Sequence, residues 1–111
     1  MAMAGHKPMV LEVSVEVADG AGGISRQWQV RGTHWMRVAR RSDRADSFSG
    51  QAGVSGRASL EMRAVAVGAA SRPAPGHRLR DGQRVFSILA VDEAPTDPFR
   101  LRVLVQEEIP T

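Results

Sequence analysis

At 111 residues with no cysteine, the chain has the size of one domain and carries no disulfide, thiolate metal site or thiol nucleophile. Its formal net charge is only +3; the pI near 10.9 arises because fourteen of the fifteen basic residues are arginine, so it does not by itself argue for a nucleic-acid partner. No apolar run approaches the roughly 20 residues of a membrane span. The opening Met-Ala-Met-Ala-Gly-His-Lys-Pro has no apolar signal core. The expectation is a soluble, unexported protein, one domain over 1–111 with a flexible start over 1–8.

Val10 to Val17 alternates, with Leu11, Val13, Val15 and Val17 on one face and Glu12, Ser14 and Glu16 on the other. Period-two alternation rich in β-branched residues predicts a half-buried strand. Asp19-Gly-Ala-Gly-Gly23 supplies a turn, and Ile24 to Val30 alternates again, placing Ile24, Trp28 and Val30 opposite Ser25, Gln27 and Gln29. A β-hairpin follows from this pattern. After a break at Arg31-Gly32, a second stretch from Thr33 to about Arg40 has bulk on both faces. Residues 41–57 show no alternation. Ser42 or Asp43 can cap a short helical turn towards Phe48, but Gly50, Gly53 and Gly56 stop it. A long loop inside a small domain is uncommon and calls for a role.

Strand character returns over Ser59–Val67 and is broken by Ser71-Arg-Pro-Ala-Pro-Gly76. Arg78 to Val85 carries the Asp81-Gly82 pair favoured in tight hairpins. Val85–Val91 reads as a buried strand, Ala94–Pro98 as a loop, and Arg100 to Glu107 as a closing strand. About six short strands and no amphipathic helix predict an all-β fold. A small antiparallel β-barrel is preferred, with one long loop or short helix at 41–57, because closure removes exposed edges.

The sequence offers little chemistry. His6, His34 and His77 lie in different elements without zinc spacing. Gly50-Gln-Ala-Gly-Val-Ser-Gly56 lacks the Lys-Ser/Thr ending of a phosphate loop, and the serines lack a nucleophile-elbow context. Asp43 and Asp46, in a loop, and Glu107 and Glu108, near a terminus, are poor settings for acid–base work. No enzyme, metal or cofactor is expected. The dense basic set is Arg37, Arg40, Arg41 and Arg44, with Arg57 at the end of the loop; such a set grips phosphate or a protein's carboxylates. Charge is uneven: residues 51–90 hold six arginines against Glu61 and Asp81, while 91–111 hold Arg100 and Arg102 against five acids. Trp28 and Trp35 sit in strand patterns and are assigned to the core.

The order of these pieces resembles phage head–tail joining proteins. The carriers are Asp19-Gly-Ala-Gly-Gly-Ile-Ser-Arg-Gln-Trp28, Trp35-Met-Arg-Val-Ala, Arg63, Pro75-Gly-His-Arg-Leu79, Gln83-Arg-Val-Phe-Ser-Ile88 and Leu101-Arg-Val-Leu-Val-Gln-Glu107. The resemblance covers residues 10–108. It departs at 41–57, where the family's segment is often longer, helical and rich in Glu and Gln, and at Arg80 before the hairpin. What it implies is a β-barrel subunit of a homo-oligomeric ring, a hexamer or dodecamer, between the portal and the tail of a tailed phage or gene transfer agent. Such a ring acts as adaptor or as a stopper that retains packaged DNA. Its partners would be portal or adaptor and tail-terminator proteins, with non-specific DNA contact in the channel. It would reside in the virion after assembly in the bacterial cytoplasm. On this reading Arg37, Arg40, Arg41, Arg44 and Arg57 face DNA or the portal, and Glu107 and Glu108 form an acidic surface towards a neighbouring subunit. The alternative is a small nucleic-acid-binding barrel of the OB or SH3-like kind.

Overall fold

The computed structural model describes residues 5–42 and 56–108, with backbone alone at 40–42. Six strands run in chain order: β1 (His6–Ala18), β2 (Ile24–Ser42), β3 (Arg57–Arg63), β4 (Arg78–Asp81), β5 (Arg84–Ala94) and β6 (Asp97–Glu107). They close into a barrel in the order β1-β2-β3-β6-β5-β4, every neighbour antiparallel. There is no helix among the described residues. The all-β barrel expected from alternation is the fold observed.

Alternation explains closure. On one side of the sheet Leu60 stands opposite Val103, and Ala58 opposite Val105, which in turn faces Ile88. Leu79 joins them between Leu11 and Phe86. These side chains, with Met9, Met36, Met62 and Leu101, are buried and form one core. The outer positions of the same strands form a row of alternating charge, Arg37–Glu61–Arg102–Asp92, across four strands. Opposite charges facing one another across strands favour this register over a slip.

Four register irregularities bend the strands, three at a single unmatched residue and the fourth between Glu93 and Ala94 next to the β5–β6 turn. The β1–β2 register shifts between Leu11 and Glu12, leaving Arg31 unmatched. The β2–β3 register shifts across Ala39, and the β5–β6 register across Leu89. An unmatched residue bends its strand and increases local twist. The expected break at Arg31-Gly32 is therefore a bulge inside one continuous strand, β2, rather than a boundary between two.

Other boundaries shift for identifiable reasons. β1 begins at His6, so His6, Lys7 and Pro8 belong to the strand rather than to a flexible lead-in. Arg41 and Ser42 end β2 and Arg57 opens β3, so the ends of the expected loop are strand; its possible helical turn lies outside the described residues. β3 stops at Arg63 rather than Val67, because the chain turns there to cross beneath the barrel. The hairpin turn is Gly82-Gln83, with Asp81 still paired to Arg84, and Gly82 takes φ +64. A positive φ at the first of two turn residues is the type II′ arrangement, which needs glycine. The expected loop 94–98 shrinks to Pro95-Thr96, since Ala94 already pairs with Asp97.

Residues 64–77 close one end of the barrel. The Ala64 N–H donates to Phe99 O at 2.8 Å, the Arg72 guanidinium to Val65 O at 2.6 Å, and the Gly76 N–H to Ile88 O at 3.2 Å. The His34 Nε2–H donates to Ser71 O at 2.7 Å. Pro73 is fully buried beneath this crossing. A proline suits a buried crossing, having no N–H to leave unsatisfied.

Candidate assembly surfaces

The β1–β2 hairpin is longer than the barrel it belongs to. β1 pairs with β4 only over Val10–Glu12, and β2 pairs with β3 only from Arg37 onward. Residues 13–18 and 24–30 therefore extend as a two-stranded arm. The arm is held at both ends. At its tip, the Asp19 carboxylate accepts the N–H groups of Ala21 at 2.8 Å and Gly23 at 2.9 Å, while Gly20 and Gly22 take positive φ. These two N–H bonds hold the Asp19 carboxyl below the usual carboxylate range. At its root, Glu12 is buried and its carboxylate meets Arg78 Nε at 2.6 Å and an Arg80 guanidinium nitrogen at 3.4 Å. Arg78 in turn lies 4.0 Å over the Trp28 ring.

The register divides the arm's apolar residues between its faces. Ser14 faces Trp28, Glu16 faces Arg26, and Glu12 faces Val30; on the other face Val13, Val15 and Val17 stand opposite Gln29, Gln27 and Ser25. Each face is apolar along one strand and polar along the other. Ile24 is 68% exposed, Val30 60% and Trp28 43%. The assignment of Trp28 to the core does not hold, because alternation specifies a side of the strand, and among the described residues that side lies outside the barrel core, with the Arg78 guanidinium stacked over the Trp28 ring. Trp35, 39% exposed, is likewise on the outside.

A second surface lies where β2 parts from β3. A groove of about 770 Å³ is lined by His6, His34 and Trp35 on one wall and Arg63, Asp97, Phe99 and Arg100 on the other. His6 and His34, distant in sequence, share this groove. Among the described residues no group of three or more His, Cys, Asp or Glu is placed to hold a metal. Arg63 and Arg100 are direct cross-strand neighbours, and Asp97 pairs with Arg100 at 3.4 Å. Elsewhere, a smaller recess of about 220 Å³ sits beside the β4–β5 turn, between Lys7, Arg57, Arg84 and Glu107. Two of its cations are matched there: Lys7 with Asp81 at 2.7 Å, and Arg84 with Glu107 through two bonds of 2.8 Å. The Glu107 bond holds the Arg84 guanidinium above its usual range.

The residues expected to make contacts are placed unevenly. Arg37 is paired with Glu61 on the outer charge row, and Arg57 Nε donates to Gln106 Oε1 at 3.2 Å. Arg40 and Arg41 lie in β2, their side chains outside the described residues, and Arg44 lies wholly outside them. Glu107 is engaged by Arg84, and Glu108 accepts the Ser87 hydroxyl at 2.7 Å. His77 sits at the root of β4, where burial first and the Arg31 charge second push its pKa below the usual imidazole value. The Ala74 N–H donates to His77 Nδ1 at 3.1 Å, and Arg31 Nε is buried with no hydrogen-bond partner among the described residues. Sequence reasoning missed the arm's exposure and the groove. The glycine turn and paired alternation marked the hairpin, but its overhang depends on where β3 and β4 begin.

Comparison with known proteins gives a consistent result. Residues 6–108 match the family described as phage head completion protein. A chain of the virion of a native gene transfer agent particle is 40% identical, with 93% of this chain and 94% of that one covered at a TM-score of 0.68. Protein SF1141 from Shigella flexneri 2a, at 20% identity and a TM-score of 0.66 over 94% and 95% of the two chains, shares the fold. No curated protein matches the chain.

Proposed function

The chain belongs to the phage head completion protein family, a structural and non-enzymatic family, and from that membership we propose that it is a ring-forming subunit of the joint between head and tail. It acts there as a stopper or adaptor between the capsid portal and the tail of a tailed phage or gene transfer agent, and so resides in the virion. The observation that carries this reading is the 40% identity, across nearly the whole of both chains, to a protein of a gene transfer agent virion. The barrel supports it: a rigid closed sheet with paired charges inside its small recess suits a part that is assembled rather than one that turns over substrate.

Within that role, Arg37, Arg40, Arg41, Arg44 and Arg57 form the side that meets channel DNA or the portal's acidic surface. Of these, Arg40, Arg41 and Arg57 lie on the paired ends of β2 and β3. Glu107 and Glu108 lie at the end of β6 and form the acidic side towards a neighbouring subunit. Removing the protein from a particle-producing host tests the role. The expected result is DNA-filled heads without tails, restored by the unmodified chain; tailed, infectious or transducing particles in its absence would overturn the proposal.

A further inference from the structure

The arm and the groove are both unfinished surfaces, and each has what the other lacks. An isolated two-stranded ribbon is marginal in water. This one has no fully apolar face to bury on its own barrel, yet exposes Ile24, Trp28 and Val30 along one side. The groove exposes two further aromatics, Trp35 and Phe99, the latter at 77%. Trp and Arg are the side chains that most often dominate binding energy at protein contacts. We propose that copies of this chain dock head to tail, the Ile24–Trp28–Val30 stripe of one arm lying in the Trp35–Phe99 groove of the next copy. The inference rests on the ring reading above and names the surfaces that would build the ring.

Three observations select a second copy as the occupant. First, β2 runs unbroken from Ile24 past Trp35, so at about 3.3 Å per residue the arm tip stands roughly 35 Å from its own groove and cannot fold back into it. Second, stripe and groove are different surfaces of one chain. Such a pair can repeat head to tail and, where the rotation closes, builds a ring; a reciprocal two-fold exchange of arms would stop at dimers. Third, the charges match. Arg63 and Arg100 stand directly opposite on β3 and β6, an arrangement that is unfavourable until an anion intervenes. Asp97 balances Arg100, and Arg63 has no ion-pair partner among the described residues. The arm's tip carries Asp19 and Glu16, of which only Glu16 is offset, by Arg26 at 3.1 Å. An arm seated in the groove brings the tip acid towards the unmatched arginine.

The absence of cysteine makes disulfide trapping clean. Ile24→Cys and Phe99→Cys alter two exposed side chains that contribute nothing to the core, so both variants fold. Particles carrying the doubly substituted chain are oxidised, denatured and run without reductant. A ladder of multiples of this chain, absent with either single variant, is expected. If formaldehyde yields such multiples but oxidation does not, the ring stands and this pairing of surfaces is wrong. If neither yields multiples, the ring reading falls and the pairing with it. A disulfide to a different virion protein, or equally strong dimers from a single variant, also overturns the pairing. Ile24→Glu should lower the yield of completed particles about tenfold or more; an unchanged yield would contradict it.

Discussion

Glu12 is the residue on which the junction of arm and barrel turns. Its carboxylate is buried, and two arginines of β4 converge on it, Arg78 nearly buried and Arg80 largely in water. The exposed partner adds little. Removing the charge as Glu12→Gln leaves Arg78 confined without its counter-ion, which typically costs about 3 kcal/mol. A clear fall in the denaturant midpoint is expected, and Arg80→Gln should leave it almost unmoved. His77 gives a pH dependence of definite sign. Its folded pKa lies below the usual imidazole value, so the unfolded chain takes up the proton first as pH falls. The resulting stability is complete above that value and is lost as pH drops through the folded pKa. Unfolding midpoints measured from pH 7.5 downward should decline in that window. His77→Asn, which can still accept the Ala74 N–H, should flatten that part of the slope.

At the scale of elements, the arm and the barrel are built differently and should open differently. Barrel strands have partners on both sides and a shared core, whereas arm residues 13–18 and 24–30 have one strand partner each. Amide exchange through local opening should therefore be faster in the arm than at Leu60 or Val103. Asp19→Ala removes both carboxylate bonds at the tip and should speed exchange in the arm several-fold without changing the barrel. Acidification through the lowered Asp19 pKa should do the same, since the bonds are present above the ordinary carboxylate value and fade as the group is protonated. Much of this was legible in the sequence. Alternation located the strands that carry Leu11, Leu60, Val103 and Val105, and the glycine-rich turn located the hairpin. The exposure of Trp28 was not legible, because a strand's periodicity says which side a residue takes but not what lies there. Nor were the bulges, since one unmatched residue such as Arg31 looks like a break when only one strand is in view. The groove was hidden for a related reason: His34 and Phe99 meet through the ring order β2-β3-β6, which no local pattern encodes.

For the whole molecule, closure sets what can be removed. Every member of the buried cluster among the described residues belongs to a strand, and the ring of pairings passes directly from β2 to β3. Ser42 and Arg57 are already register partners, so the two strand ends stand side by side. Residues 43–56 can accordingly be replaced by Asn-Gly, the pair best suited to joining adjacent antiparallel ends. Shortening a loop lowers its closure entropy slowly with length, so the truncated chain should unfold within about 2 kcal/mol of its parent. Its core amides should keep their protection. If the segment serves assembly, the same variant should fail to restore tailed particles to a host lacking the protein, despite normal folding. A truncated chain that does not fold would place the segment in the core. One that folds and completes particles would remove the segment, and Arg44 with it, from the joint between head and tail.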